Sequence, residues 1–176
     1  MNKIEWGLNM KSIYLTGFMG AGKTTIGKAL GEYLEMPVFD TDEEIEKNEK
    51  LTISEIFEQQ GEGHFRASEA KILGVLPVED AVITTGGGLV CREENTRFIK
   101  EHGIVIFLYA REEEIVKRLE LDESRPLLKG DKLEKIAALY KERLPIYKQA
   151  ADYTIDTTGK EISEVVKEIV SCLKLQ

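Results

Sequence analysis

Gly17-Phe18-Met19-Gly20-Ala21-Gly22-Lys23-Thr24 fits the pattern G-x-x-x-x-G-K-[ST] in full and follows directly on the apolar run Ile13-Tyr14-Leu15. A strand that breaks into a glycine turn and then opens a helix aims several backbone N–H groups and the positive end of a helix dipole at one point, where a polyphosphate can sit. Gly20, Ala21, Gly22, Lys23, Thr24 and Thr25 are therefore the candidate phosphate-binding residues. Lys23 is placed to reach the outer phosphates and Thr24 to ligate the Mg²⁺ that bridges them. The bland alternative is a glycine turn that only joins a strand to a helix.

The chain has 176 residues, enough for one compact domain with a cleft, and its 42% hydrophobic and 32% charged residues are ordinary for a globular enzyme. A formal net charge of -8 argues against a nucleic-acid backbone as partner, because that requires a basic face. Cys91 and Cys172 are the two cysteines, too few and too far apart for a disulfide framework or a zinc site, so reduced thiols are expected. No secretory leader is legible at the N-terminus, and no stretch approaches the roughly 18 apolar residues of a membrane span. A cytoplasmic protein without membrane association is expected. Residues 1–9 read as a frayed extension or as the sequence ahead of an alternative start at Met10.

Periodicity then orders the elements. Thr24 to Glu35 has helical spacing with Ile26, Ala29, Leu30, Tyr33 and Leu34 as one stripe, ended by Pro37. Val38-Phe39 reads as a short buried strand delivering Asp40-Thr41-Asp42 to its C-terminal end. Thr52-Ile53-Ser54-Glu55 is a capping box. Gly61-Glu62-Gly63 is read as ending that helix, and His64 to Leu76 as the next. Ala81 to Thr84 and Ile104 to Tyr109 are strands, with helices over Asn95–Glu101 and Glu113–Leu119. A polar stretch over residues 121–132 precedes a long helix to about Ala150, a strand at Tyr153-Thr154-Ile155, and a closing helix with Ile162, Val165, Val166, Ile169 and Leu173 inward. Five strands alternating with helices imply an α/β protein with a parallel sheet covered on both faces.

Several groups outside the phosphate loop have chemistry to offer. Asp40 and Asp42, two apart at a strand end, can project on one side beside the loop. One can hold a Mg²⁺-bound water while the other orients or deprotonates an acceptor hydroxyl. The competing reading is a helix cap by Thr41 or Asp42. Arg66, Arg125 and Arg143 offer planar forks for a carboxylate or phosphate, and Gly86-Gly87-Gly88 lets backbone approach a ligand closely. The chain lacks the N-K-x-D of a guanine-specific switch. Asp156-Thr157-Thr158-Gly159 matches D-x-x-G only as a turn would.

Taken together, the phosphate loop, Phe39-Asp40-Thr41-Asp42, Gly61-Glu62-Gly63-His64-Phe65-Arg66 with Glu69, Thr85-Gly86-Gly87-Gly88, Arg125-Pro126-Leu127-Leu128 and Arg143-Leu144-Pro145-Ile146-Tyr147 resemble shikimate kinase, in that family's order and over residues 11 to 172. The resemblance implies a three-layer αβα P-loop NTPase fold with a five-stranded parallel sheet, a helical substrate-binding segment at 41–70 and a mobile lid at 120–131. It implies transfer of a phosphoryl group from ATP, with Mg²⁺, to the 3-hydroxyl of shikimate, by a monomer. Carried over by position, Lys23, Asp42 and Arg125 are catalytic. Asp42, Arg66, Gly86, Gly87, Gly88 and Arg143 bind shikimate, Thr24 and Asp40 serve the metal, and Arg118 packs on adenine. The family's usual proline near Glu161–Ile162 is missing, and residues 121–124 are acidic where many lids carry Gly or Asn. The rival readings are a kinase for another hydroxy acid such as gluconate, and a nucleotide-binding regulatory module without phosphotransfer.

Overall fold

The computed structural model describes residues 10–120 and 131–174. Its elements run β1 (Ser12–Thr16), α1 (Lys23–Leu34), β2 (Val38–Asp40), α2 (Thr41–Glu49), α3 (Ile53–Leu73), β3 (Val82–Thr84), a 3-10 turn (Leu89–Cys91), α4 (Glu93–His102), β4 (Gly103–Tyr109), α5 (Glu112–Glu120), α6 (Asp131–Ala150), β5 (Tyr153–Asp156) and α7 (Ile162–Leu173). The five strands form one parallel sheet in the order β2-β3-β1-β4-β5. The expected α/β architecture with helices on both faces is what forms. Residues 1–9, most of the expected lid and Arg125 lie outside the described residues. Among the described residues no helix is long and apolar enough to cross a membrane.

The sheet order follows from burial. β1 is buried along its whole length and lies between β3 and β4, so its apolar side chains meet neighbours on both faces. The chain crosses from β1 to β2 on one side of β1 and later from β3 over to β4 on its other side, so a crevice opens beyond the C-terminal end of β1, where open α/β sheets bind ligands. The glycine loop emerges there.

Helix α1 lies against the sheet through its glycines. Its buried face is Ile26, Gly27, Leu30, Gly31 and Leu34, while Tyr33, expected in the stripe, is 46% exposed. A Cβ on Gly27 would come 2.4 Å from Thr84 Cγ2, and one on Gly31 2.2 Å from Val38 Cγ2 and 2.9 Å from the Met36 carbonyl oxygen. Small residues let the helix settle low enough for its first turn to face the crevice.

Three further expectations need correction. β2 is an edge strand with Val38 at 36% exposure, because only β3 pairs with it. The expected break forms at Gly61 alone, with φ 80° and ψ 169°, and the helical segment after it starts at Glu62 and ends at Leu73 instead of running from His64 to Leu76. Ile162 is 44% exposed instead of facing the core, and the inward face of α7 begins at Val165.

Gly31→Ala would gain up to ~1 kcal/mol in helix propensity, but overpacking against a backbone carbonyl costs about 1–3 kcal/mol. The expected outcome is a net loss of stability, seen as a lower urea midpoint with unchanged slope. A higher midpoint would mean that α1 has room to rise off the sheet.

Candidate active site

The N-terminus of α1 has neither a side-chain cap nor an acidic first turn, and its N-cap Gly22 is left-handed at φ 91°. By contrast α2 is capped by Asp40, and α3 and α7 carry capping boxes. A helix start without a protein-supplied acceptor leaves its first N–H groups to an incoming anion. Gly20 at φ 79° completes the turn that β-carbon-bearing residues rarely adopt. The Lys23 ammonium is held over the loop by the carbonyls of Gly17 and Phe18, at 2.8 Å and 2.9 Å.

The ends of β2 and β3 are tied together beside this loop. Thr84 Oγ1 donates to Asp40 Oδ2 at 2.6 Å, and the Gly86 N–H donates to the Oγ1 of fully buried Thr41 at 2.9 Å. Asp40 Oδ1 accepts from the N–H groups of Asp42 and Glu43, so the cap of α2 is Asp40, not Thr41 or Asp42. The strand-alternation argument for the pair therefore fails, since Asp42 already lies in the first turn of α2. The two carboxylates are nonetheless close enough to repel each other.

Asp42 is the most perturbed acid of the site. Burial, and then the charges of Asp40 and Glu69, push its carboxyl up to about 6, against a smaller opposing pull from Lys23. Its Oδ1 is buried without a hydrogen-bond partner. A Cβ on Gly86 would stand 2.5 Å from that oxygen. Gly86 is thus glycine because an acid packs against it.

Gly88 answers in the same way to Arg66, whose Nη1 would lie 2.6 Å from an added Cβ. Arg66 is fixed by Glu69 at 2.8 Å and by Glu62 at 3.1 Å, and its guanidinium stacks over the Phe65 ring at 5.3 Å. Glu69 is fully buried, and burial raises its carboxyl despite the attraction of Arg66. Arg143, on α6, donates to the Gly87 carbonyl at 3.4 Å. Arg118 donates to Glu114 at 3.0 Å, to the Gly20 carbonyl at 3.2 Å and to the Thr157 carbonyl at 3.3 Å, so it ties α5 to the phosphate loop and to the loop after β5. That last loop is a turn, as expected from D-x-x-G: the Thr158 N–H donates to Asp156 Oδ1 at 2.9 Å and Gly159 has φ 65°.

One cleft of about 710 Å³ takes in all of these groups. Residues 20–25, Asp40, Asp42, Arg66, residues 86–88, Arg118 and Arg143 all line it, so every described candidate from the sequence converges there. Glu69, Thr84 and Tyr147 carry supporting contacts to which the sequence assigns no separate role, and Thr41, a candidate helix cap by sequence, instead accepts from the Gly86 N–H. The available signals were spacings: Glu69 is i+3 from Arg66 and Tyr147 i+4 from Arg143, on one helical face each. Among the described residues no group of three or more His, Cys, Asp or Glu could by itself hold a metal ion. Both cysteines are free.

The family model for shikimate kinase matches residues 19–174. A shikimate kinase of Bacillus cereus (strain AH187) is 45% identical over 160 residues, covering 91% of this chain and 96% of the relative. One from Caldicellulosiruptor bescii is 50% identical over 150 residues, covering 84% and 87%. Among solved structures, the shikimate kinase from Acinetobacter baumannii in complex with shikimate superposes with TM-score 0.85 at 38% identity, over 93% of both chains.

The raised carboxyl of Asp42 has a consequence for stability. With the folded value near 6 and the ordinary value at 3.8, the folded state holds the proton more tightly. The associated stability is complete below about pH 4 and is lost as pH rises through 6. Asp42→Asn removes the buried charge, so it should stabilise the fold by about 1–2 kcal/mol at pH 8, a figure discounted for partial solvent access. The gain should vanish below pH 4. Urea unfolding at the two pH values checks this, and equal gains at both would mean that the ionised carboxylate is not strained.

Proposed function

This chain belongs to the shikimate kinase family, and on that premise we propose how its cleft divides between two substrates. The activity is ATP-dependent phosphorylation of the 3-hydroxyl of shikimate, giving shikimate 3-phosphate and ADP, in the pathway to chorismate and the aromatic amino acids. Family membership sets aside both the gluconate kinase and the regulatory module as readings of this chain.

The observation that carries the assignment of roles is the position of Asp42, a part-buried acid whose Oδ1 is buried and unpartnered, within the field of Lys23 on one side and of Glu69 on the other, and packed against Gly86. The donor phosphates lie on the loop of residues 20–25, against the first N–H groups of α1 and the Lys23 ammonium. Arg118 lies at the rim as the adenine-side contact. Shikimate's carboxylate lies between the forks of Arg66 and Arg143, and its ring hydroxyls meet Asp42 and the backbone of Gly87 and Gly88. Asp42 accepts the hydrogen bond of the attacking hydroxyl and takes its proton as the oxygen closes on the γ-phosphorus in line. A carboxyl near 6 is ionised at neutral pH yet basic enough to accept that proton. The protein contributes mainly position and charge neutralisation, so no covalent phosphoenzyme forms. Arg125 is proposed as a further cation on the transferring phosphoryl from outside the described residues.

Mg²⁺ fits this site in the way small hard cations are usually held, by phosphate oxygens, waters and one or two protein oxygens. The exposed Thr24 and the carboxylate of Asp40 would supply those protein oxygens. Both Asp40 oxygens already accept protein hydrogen bonds, which favours contact through water. When bound, the ion supplies charge neutralisation along the β- and γ-phosphates.

An ADP-release assay offering shikimate, gluconate and nucleoside monophosphates in parallel should give turnover with shikimate alone. Turnover confined to gluconate would overturn the assignment. Arg143→Lys keeps the charge but loses the fork, and should raise KM for shikimate about tenfold with little change in KM for ATP. An unchanged value would place the carboxylate elsewhere. The kcat/KM for shikimate should fall with decreasing pH around pH 6 as Asp42 becomes protonated, and Asp42→Asn should lower kcat roughly 10²–10⁴-fold. A profile flat from pH 5 to 8 would remove Asp42 from the role of base.

A further inference from the structure

We propose that the Tyr147 hydroxyl is a positioning group for the acceptor half of the cleft, acting through the Gly87 carbonyl and the Arg143 guanidinium. The proposal rests on the assignment of Arg143 and the glycine triplet to shikimate. Tyr147 is fully buried and stacks on Phe107 of β4, ring centroids 5.1 Å apart at an interplanar angle of 14°. Its hydroxyl donates to the Gly87 carbonyl oxygen in a short hydrogen bond. Arg143, one helical turn earlier on α6, donates to the same carbonyl at 3.4 Å, and its positive charge acts on the Tyr147 oxygen. Two donors from one face of α6 therefore converge on a single carbonyl oxygen. The phenol is kept protonated far above its ordinary range by burial, so it remains a donor at every working pH.

Two consequences follow for binding. The Gly87 carbonyl is pinned toward α6, which turns the adjoining peptide groups of the triplet toward the cleft. A glycine run has no side chains of its own to fix its peptide planes, so an external donor must do it. The Arg143 fork is also fixed at one edge, leaving its remaining N–H groups for a carboxylate in a bidentate approach. Simple packing does not require the hydroxyl: a phenylalanine would stack on Phe107 equally well. Position 87 also lies against the phosphate loop, with an added Cβ at 3.7 Å from the Gly17 carbonyl oxygen and the Met19 nitrogen. The anchor thus acts where donor and acceptor halves meet.

Tyr147→Phe removes only the hydroxyl. It should raise KM for shikimate about 10-fold, with KM for ATP and kcat within about 3-fold of wild type. In the Arg143→Lys background the same change should add less than about 2-fold, because one of the two donors that converge on the Gly87 carbonyl is already lost. Phe107→Leu serves as the packing control: it loosens the stack without touching the hydroxyl and should lower Tm without splitting the two KM values. Wild-type KM for shikimate in Tyr147→Phe would overturn the proposal, as would an equal rise in Phe107→Leu. If Arg143→Lys itself leaves KM for shikimate unchanged, the underlying acceptor assignment fails instead, so the two failures are distinguishable.

Discussion

The first turn of α1 has to face the crevice with its N–H groups unclaimed, and much of the remaining structure follows from that. A buried helix start without a cap would ordinarily be costly. Here it lies at the open end of the central strand, where on the proposed function a polyphosphate would supply the missing acceptors. Glycine at 17, 20 and 22 gives the loop its curvature, each with positive φ. Gly27 and Gly31 bring the helix down onto β2 and β3. Any side chain that lifted α1 would carry the phosphate-binding amides out of register with the strand ends that bear Asp40, Thr84 and Gly86.

The acceptor half is built by the opposite device, with charges forced into contact and glycines making the space. Part-buried Asp42 and fully buried Glu69 are both acids whose carboxyls are raised. Arg66 balances Glu69, while Asp42 keeps an oxygen without a partner. Helix α6 ties this half to the donor half. Tyr140 meets Phe18 of the phosphate loop edge-on at 5.3 Å and donates to the Ala110 carbonyl at 2.6 Å, and Arg143 and Tyr147 reach Gly87 further along the same helix. A shift of α6 along its axis would be felt at both substrates together.

Much of this was legible in the sequence, because strand runs, the phosphate loop and capping boxes are local signals. What failed was whatever depended on where an element begins or what covers it. Asp40 and Asp42 were read as alternating along one strand, yet the helix starts at Thr41, so one caps the helix and the other rides in its first turn. The glycines at 61 and 63 announce a break, but only Gly61 leaves helical geometry, so the segment after it starts earlier than the spacing suggests. Val38 is apolar and was placed inside, yet it lies on a sheet edge that only strand order reveals. The triplet at 86–88 announced a close approach. That the approaching groups are Asp42 and Arg66 could not be read until β2 and α3 were folded against it.

The same geometry couples the two substrates through charge. In the free protein Lys23 lies over the Gly17 and Phe18 carbonyls and its attraction opposes the upward push on Asp42. Once donor phosphates occupy the loop, the ammonium is shared with them and its hold on Asp42 weakens. The phosphates add negative charge on the same side, which favours the protonated carboxyl further. On the proposed roles, donor phosphates alone would therefore move Asp42 toward a stronger base for the acceptor hydroxyl, and Mg²⁺ held near Asp40 would offset part of that shift. The strain stored in an unpartnered buried carboxylate is relieved by that hydroxyl, which supplies the hydrogen bond Oδ1 lacks. On the proposed roles, binding energy from Arg66 and Arg143, remote from the reacting oxygen, would bring it there.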